Sequence, residues 1–596
     1  MITLNRNILH RKQFVRTFAA TVILFALTLS HASCFLNETI DPYYGRVVVP
    51  VSQQLRWSDG GLPQTFDPAF AAAPPDTDLV RAIFEGLTDY DPKTLLPIPG
   101  VATRWEASNG GRTWTFYLRD DARWSNGTAV TAQDFVRSWQ RTVKLGDLAP
   151  HTDLLANIEG WQQQPAPPQL QAPTQSAPAS RSDSVRPEAS GREPERAFGA
   201  EALSDRVLRV RLRQPDMNFP ALVAHPVFRP LKLPDAMPLG KLSATELLSN
   251  GAFSVSKTDK ERVLLARAEN YWDKQQVTLQ SVEFVGARDT ESALAAYRSG
   301  EVDTVTNAAL EPLAIKLLAP YADFRRTTFG ALTYYTFNTT RAPFDDVRVR
   351  EALAIAIDRD RISTDETGGA TEPAKRFLPH NQTDVPQVVV GKSEMLEKDE
   401  LRARQLLAEA GFPDGKNFPV VRLLINRNEQ QRVVAQAIAS MWRSVLNIET
   451  ELVIKNWDDY EAAIRSGDFD VVRRGIVMQT TDELTNIRTL FGETYRAAVA
   501  ENDTDRLNKQ GAELSDKNKS TVTGARTSSS FPAIDTEAQA LNDLSAMPIY
   551  FASSYALVKP YVSGFDANVL DAPSLKTVRI NGNWKPPASP AGNIVR

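Results

Sequence analysis

Residues 113–135 read TWTFYLRDDARWSNGTAVTAQDF, and this stretch decides the predicted fold because it passes from a strand into a helix. In its first six residues, threonine and tyrosine side chains alternate with Trp114, Phe116 and Leu118. Successive side chains of a strand point to opposite faces, so the alternation predicts a strand with one face buried.

A helix is predicted to follow this strand. Thr131 and Asp134 have the spacing of a capping box, in which the two side chains satisfy backbone N–H groups at a helix start. Phe135 and Trp139 then repeat four residues apart, which places both on one face of a helix that runs to about Val143. The turn between strand and helix contains the string WSNG.

Strands and helices alternate along the rest of the chain. Apolar residues occupy every second position in residues 207–212, which predicts a further strand. A helix is predicted from Val347 to Ile357 after a cap at Asp346, and another from Glu400 to Ala410, ending at Gly411. This alternation is typical of an α/β protein.

Two polar stretches interrupt the pattern. Residues 163–197 are rich in Pro, Gln, Ala, Ser and Arg and hold too few large apolar side chains to offset the entropy of ordering, which predicts a disordered insertion. Residues 516–530 are also polar and are predicted to form a loop or a disordered segment. Because a strand follows the first stretch, the insertion interrupts the fold and does not end it.

The first 33 residues have the layout of an export signal, with basic residues ahead of an apolar stretch from Phe18 to Leu29. Cys34 is the only cysteine, so a disulfide within the chain is impossible. We expect Cys34 to be acylated and to anchor the mature protein, with residues 34–54 as a linker. Cleavage by the general signal peptidase after Ala32 is the alternative, and it would leave Cys34 as a spare thiol.

The composition fits a protein that works in water. Of the 596 residues, 42% are hydrophobic and 23% are charged, and 68 basic side chains nearly balance 72 acidic ones. This balance indicates no polyanionic or polycationic partner, so no nucleic acid is expected to bind. The length exceeds that of one typical domain, which predicts two or more lobes with separate cores.

No arrangement of residues in the sequence nominates an enzyme. The three histidines beyond the export signal, His151, His225 and His380, are far apart in sequence and are predicted to be isolated, so neither a zinc-protease helix nor a clustered metal site is expected. The chain also lacks the G-x-S-x-G nucleophile elbow. We therefore expect no catalytic residues, no metal and no cofactor.

Several strings resemble family 5 of the bacterial extracellular solute-binding proteins, which includes the oligopeptide-binding and dipeptide-binding proteins of ABC importers, and they occur in the family's order. They are Thr65–Pro68, Ile83–Leu87, Trp124–Gly127, Val130–Phe135, Asn250–Phe253, Asn270–Asp273, Ala296–Asp303, Phe344–Ile357, Met547–Tyr550 and Leu557–Pro560. Trp124, Trp139 and Trp272 are expected to be core or hinge-side residues.

The resemblance implies a bilobal periplasmic-binding-protein fold of type II, with an extra subdomain in the first lobe and hinge closure over a ligand cleft. We expect the first lobe at residues 55–325, the second at 326–545, and a return to the first lobe in residues 546–596. The resemblance also implies that the protein captures peptides or a peptide-sized solute and delivers it to ABC permease subunits. We expect a monomer in the periplasm or at the cell surface.

The resemblance also assigns ligand-binding residues. A tryptophan and an arginine of the second lobe face the cleft in the family, and the matching residues are Trp457 and Arg473. Asn250 and Gly251 are expected on the first-lobe side of the cleft. A strand that pairs with a peptide backbone would satisfy the amides of any peptide sequence.

One departure from the family concerns the residues after Arg473. The family continues with Gly, Trp and then an aspartate that pairs with the α-amine of the peptide, but this chain has Gly475, Ile476 and then Gln479 in the acidic position. Recognition of a free amine is therefore not implied. The alternative function is an extracytoplasmic ligand sensor or scaffold with the same fold and no import role.

Overall fold

The computed structural model describes residues 42–161, 198–232, 244, 247–379, 395–491 and 534–586. The predictions for the export signal, for Cys34 and for residues 163–197 and 516–530 fall outside these ranges, as does His380.

The strands are β1 (Gln54–Asp59), β2 (Thr88–Tyr90), β3 (Pro97–Pro99), β4 (Ala102–Ser108), β5 (Thr113–Leu118), β6 (Ala200–Ser204), β7 (Val207–Arg211), β8 (Phe253–Thr258), β9 (Arg262–Arg267), β10 (Ser281–Val285), β11 (Thr304–Thr306), β12 (Phe324–Phe337), β13 (Thr371–Pro373), β14 (Val421–Asn426), β15 (Thr450–Lys455), β16 (Val471–Val477), β17 (Ala546–Val558), β18 (Val562–Ser563) and β19 (Arg579–Ile580).

The helices are α1 (Asp76–Ile83), α2 (Ala132–Leu145), α3 (Phe219–Leu222), α4 (Thr290–Ser299), α5 (Pro312–Leu318), α6 (Val347–Ile355), α7 (Arg359–Arg361), α8 (Glu400–Glu409), α9 (Glu429–Leu446), α10 (Trp457–Arg465), α11 (Glu483–Phe491) and α12 (Glu537–Asp543). None of the helices in the described ranges is long and apolar enough to cross a membrane.

The stretch that decided the prediction folds as expected. β5 covers Thr113–Leu118, and its burial alternates along the strand, with Trp114 and Phe116 inside. α2 begins after Thr131, whose backbone N–H donates to Oδ2 of Asp134 at 2.8 Å. β5 lies inside a four-stranded antiparallel sheet in the order β4, β5, β7, β6.

The other predicted elements are present with small differences at their ends. The predicted strand at 207–212 ends one residue earlier, as β7. The helix predicted to reach Ile357 ends at Ile355, although its cap is confirmed because Asp346 Oδ1 accepts from the N–H of Arg348 at 2.8 Å. α8 ends at Glu409, and Gly411 follows with a φ of +99°.

An eleven-stranded mixed sheet runs through the molecule in the order β15, β14, β16, β12, β17, β11, β1, β10, β9, β8, with β13 added on β17. Two apolar cores pack on it. The first contains Trp57, Phe116 and Trp139, and the second contains Tyr335, Trp442 and other side chains of the β12–β17 region. We call the part around the first core the first lobe and the part around the second core the second lobe.

β12 and β17 are the strands that connect the two lobes. They pair antiparallel from Phe324 to Thr336, but the register shifts between Thr328 and Leu332. In this gap Gly330 leaves the ladder: its N–H donates to the oxygen of Val569 at 2.7 Å, and its C=O accepts from Met478 at 2.9 Å. The two crossing strands are therefore not continuously bonded to each other.

Candidate functional site

Within the described ranges, one edge of β16 has no neighbouring strand over most of its length. β16 pairs with β12 along its whole length, whereas β14 pairs only with its first two residues. The hydroxyl of Tyr460, on a helix that packs against β14 and β15, donates to the backbone oxygen of Arg473. Backbone groups of every second residue point to the same side, so those of Gly475 and Val477 face this side as well. We call Gly475–Val477 the free edge.

Trp457 lies at the first position of α10. The residue is 60% exposed, and its ring centroid lies 5.6 Å from that of Tyr460 at an interplanar angle of 33°. Because Tyr460 also bonds the backbone of Arg473, the structure links the predicted Trp457 and Arg473 through one residue. The two rings form an apolar surface on this side of β16.

Arg473 and Gly475 are coupled by packing. Nη2 of Arg473 donates to the hydroxyl of Thr333 at 3.3 Å. A Cβ atom added to Gly475 would lie 3.1 Å from that Nη2 atom, so the glycine leaves room for the guanidinium. In the part of the chain that the structure describes, no carboxylate forms an ion pair with Arg473.

Asn250 and Gly251 have partners inside the first lobe. The side chain of Asn250 is 5% exposed; its Oδ1 accepts from the N–H of Glu85 at 3.1 Å, and its Nδ2 donates to the oxygen of Glu85 at 3.0 Å. A Cβ atom on Gly251 would lie 2.7 Å from the backbone of Ile83 and Phe84. Both residues therefore brace the turn after α1, and their role as ligand contacts stays a prediction.

The carboxylate of Glu85 is the centre of a buried network that the sequence did not predict. Its Oε1 accepts from the hydroxyl of Tyr271 at 2.6 Å, and its Oε2 accepts from Nε1 of Trp272 at 2.5 Å. Lys576 Nζ reaches Glu85 at 2.9 Å and Asp89 at 2.8 Å. Trp272 thus acts within the first lobe, in line with its predicted packing role.

The charges of this network are fixed by their neighbours. Burial alone would raise the pKa of Asp89, but Lys576 and Arg229 hold it at about 2. Burial also opposes the charge of Lys576, yet Asp89 and Glu85 raise its pKa well above the usual value. The ammonium and the carboxylate are therefore both ionised at neutral pH.

The two lobes touch at a group of residues that we call the lobe contact. It consists of Tyr90, Asp216 and His225 from the first lobe and Gln479, Thr480 and Asp482 from the second. The hydroxyl of Tyr90 donates to that of Thr480 at 3.3 Å. Gln479, which is predicted to occupy the family's amine-anchoring position, faces the side chain of His225.

The interpretation of the histidines as isolated is wrong for two of them. The rings of His151 and His225 lie 5.0 Å apart in an edge-on arrangement, although the residues are far apart in sequence. Burial, His151 and Arg81 lower the pKa of His225 well below its ordinary value, so it is neutral at physiological pH. The described residues nevertheless hold no group of three His, Cys, Asp or Glu side chains able to bind a metal ion.

The chain matches the family model described as bacterial extracellular solute-binding proteins, family 5 Middle, over residues 97–497. It belongs to this family. Among the relatives of this family-5 protein is the periplasmic oligopeptide-binding protein OppA of Escherichia coli, which is 28% identical over 87% of this chain and 91% of its own. The periplasmic murein peptide-binding protein MppA of E. coli is 29% identical over 94% of this chain and 97% of its own.

Solved structures agree with this assignment. The unliganded open form of the murein tripeptide-binding protein MppA gives a TM-score of 0.69 at 27% identity, covering 89% of this chain and 98% of its own. Haemophilus influenzae OppA in complex with the peptide RPPGFSPFR gives a TM-score of 0.55 at 25% identity, covering 89% and 100%. The predicted bilobal fold of type II is therefore confirmed.

Proposed function

We propose that this chain captures a peptide, or a solute of peptide size, between its two lobes and delivers it to the permease of an ABC importer. The observation that carries the proposal is the free edge of β16, which ends against the first lobe and has no strand beside it in the described residues. The named peptide ligands of OppA and MppA support the same class of ligand.

An extended ligand would add a strand at this edge. Its backbone N–H and C=O groups would form hydrogen bonds with those of Gly475 and Val477. These bonds would offset the free energy of removing peptide amides from water, whatever the ligand sequence. Nε2 of Gln479 donates to the oxygen of Val477 at 3.2 Å, so a side-chain amide occupies part of this edge. A ligand N–H would replace it.

Side chains around the edge would then select the ligand. Trp457 offers an exposed apolar face for one ligand side chain. Arg473 offers a cation that forms no ion pair with any acid among the described residues, which suits a carboxylate of the ligand. Asn250 and Gly251 would act from the opposite lobe by holding the backbone at Glu85 in place.

The same proposal covers the location of the protein, its lipid anchor, its oligomeric state and the bounds of its lobes. The mature protein would work outside the cytoplasm as a monomer, tethered through a lipid on Cys34, and its relatives OppA and MppA are periplasmic proteins. We place the first lobe at residues 55–325, the second lobe at 326–545 and the return at 546–596. The two cores and the crossing strands support this division.

Identification of the bound ligand tests this proposal. Denaturing the purified protein should release peptides or a peptide-sized solute that mass spectrometry identifies. In calorimetric titrations with that ligand, the Trp457→Ala and Arg473→Met variants should bind at least tenfold more weakly, a loss of about 1.4 kcal/mol.

The control is Arg443→Met, which removes an exposed guanidinium of α9 that pairs with Glu449. It should bind as the parent does. Release of no peptide-sized compound, or parent-like binding of the released compound by both site variants, would contradict the proposal.

A further inference from the structure

A small cavity lies in the first lobe, where the parallel strands β1 and β11 end. Trp57, Thr306 and Phe565 line it together with two acids, Asp78 and Asp571. The carboxyl ends of parallel strands are a common place for ligands in α/β proteins. The cavity has room for a group about the size of one water molecule. It therefore suits the small polar end of a ligand side chain.

The two acids that line the cavity are buried and only partly satisfied. Oδ1 of Asp78 accepts from Nη1 of Arg81 at 3.0 Å, but its Oδ2 has no hydrogen-bond partner among the described residues. Oδ1 of Asp571 accepts from the hydroxyl of Ser554 at 2.8 Å. A buried carboxylate oxygen without a donor is costly, so Asp78 would gain from a donor supplied by a ligand.

Asp59 adds a third acid behind the same wall. Its Oδ1 accepts from the hydroxyl of Thr306 at 2.7 Å and from Nδ2 of Asn307 at 2.6 Å, and both of these residues line the cavity. Asp59 is fully buried, and its Oδ2 also has no partner in the described ranges. We call the cavity with Asp59, Asp78 and Asp571 the acidic recess.

The acidic recess has fewer cations than acids. Among the described residues, Arg81 forms an ion pair with Asp78, whereas no ion pair joins Asp59 or Asp571 to a cation. Burial raises the pKa of Asp571 to about 6, and burial together with Asp59 raises the pKa of Asp78 well above its usual value. A cation that entered the recess would oppose both effects and favour the ionised carboxylates.

The aromatic walls of the recess suit an alkyl chain that carries a cation. The rings of Trp57 and Phe565 lie 5.2 Å apart at an interplanar angle of 90°. Aromatic rings pack against methylene groups and attract a cation through their faces. The walls and the acids therefore favour an alkylammonium group over a neutral polar group.

The recess lies close to the end of the free edge. The C=O of Gly330 accepts from the N–H of Met478, the residue directly after the free edge, at 2.9 Å. The N–H of Gly330 donates to the oxygen of Val569 at 2.7 Å, and Val569 stands two residues before Asp571. One residue thus joins the free edge to the loop that carries an acid of the recess.

A second cavity extends the recess toward the lobe contact. The two cavities adjoin because Asp78 and Pro573 line both of them. The second cavity reaches Tyr90, whose hydroxyl bonds that of Thr480 in the second lobe. Lys576 also lines the second cavity, where two acids already balance its charge. A ligand held between the lobes therefore lies beside the way into the recess.

We propose that the acidic recess binds the ammonium group of a lysine-type side chain of the ligand, an inference that rests on the proposed capture of a peptide. A ligand paired with the free edge lies along the second lobe, so a long side chain must carry its cation to the first lobe. An ammonium group is compact and has three donors, whereas a guanidinium group is a larger planar fork. The ammonium would donate to Oδ2 of Asp78 and to the carboxylate of Asp571.

Two synthetic libraries of short peptides test the recess, one made with lysine and the other with Nε-acetyllysine in its place. The mature protein is incubated with both at pH 8, and mass spectrometry quantifies the peptides that it retains. Lysine peptides should be retained at least about tenfold better than their acetyllysine counterparts. In Asp571→Asn and in Asp78→Asn this ratio should fall at least about fivefold, because an amide offers the ammonium no charge.

Glu537→Gln is the matched control. Glu537 is a buried acid of α12 that pairs with Arg376 at 2.7 Å, away from the recess, so its replacement should leave the ratio unchanged. Asn also suits the backbone at Asp571, where φ is +49°. Because Asp78 and Asp571 lie on different segments, failure of one variant to fold leaves the other to decide.

The outcomes separate the recess from the proposed function. Both libraries keep a free α-amine, so capture through the α-amine alone would retain them equally. Equal retention, or an unchanged ratio in both Asn variants, would overturn the recess and leave peptide capture standing. Retention of no peptide from either library would overturn both.

Discussion

At the scale of single residues, Lys576 is the cation that balances two buried acids. Its Nζ lies 2.9 Å from Glu85 and 2.8 Å from Asp89. Lys576→Met would leave Glu85 without a cation, so we expect the free energy of unfolding in urea at pH 7 to fall by about 3 kcal/mol. The exposed Lys260→Met should change it by less than about 0.5 kcal/mol. Equal effects of the two substitutions would mean that the network is not stabilising.

The same network predicts the course of acid unfolding. The pKa of Asp89 is about 2 in the folded protein, below its ordinary value of 3.8. A lowered pKa gives stability that is present above the ordinary value and is lost as the pH falls toward 2. Urea unfolding from pH 5 down to pH 2 should show a smaller loss of stability in Lys576→Met than in the parent.

Gln479 predicts weak recognition of a free amine. The resemblance to the family predicts that Gln479 stands where an aspartate pairs with the α-amine of a peptide, and an uncompensated buried ammonium is costly. A free peptide and the same peptide acetylated at its N-terminus should bind within tenfold of each other by calorimetry. Gln479→Asp should favour the free peptide by at least tenfold, or about 1.4 kcal/mol. A tenfold preference already present in the parent would mean that another acid anchors the amine.

Single residues also mark where sequence reasoning stops. The motif order identified Trp457 and Arg473, which the structure joins through Tyr460. It did not identify Lys576, because its partner Glu85 lies 491 residues earlier in the chain. The periodicity of side chains along a helix or strand cannot predict a contact between residues so far apart in the sequence. Asn250 was singled out from the motif, but its bracing of Glu85 became visible only in the fold.

At the scale of elements, β5 and α2 were predicted correctly because their signals are local. Alternation along six residues specifies a strand, and a capping box specifies a helix start. The free edge of β16 has no such signal: it exists because β14 pairs with only the first two residues of β16, while α10 packs against β14 and β15. Element types were therefore predictable, but the unpaired edge was not.

The insertion after Trp161 gives a prediction at the same scale. The backbone N–H of Gly199 donates to the oxygen of Glu159 at 2.7 Å, so the chain leaves and re-enters the first lobe at neighbouring points. Replacing residues 163–196 by a short glycine-serine link should change the free energy of unfolding by only about 1 kcal/mol. A deletion variant that is insoluble, or that melts far below the parent, would show that the segment contributes to the core.

At the scale of the whole molecule, Cys34 decides whether the protein is tethered. We expect cells fed a fatty-acid analogue to label the mature protein, and Cys34→Ser to abolish the label and release the protein from the membrane fraction. An unlabelled, soluble mature protein that begins at Ser33 would favour cleavage by the general signal peptidase.

The gap between β12 and β17 at Gly330 has a mechanical consequence. Two strands bonded side by side act as a ribbon that is stiff within its own plane and compliant perpendicular to it. Between Thr328 and Leu332 the register of the backbone hydrogen bonds shifts, so the strand pair resists bending least at this point. We therefore expect the lobes to move relative to each other mainly by rotation about that point. The permease is then expected to distinguish the ligand-bound protein from the empty protein by the angle between the two lobes.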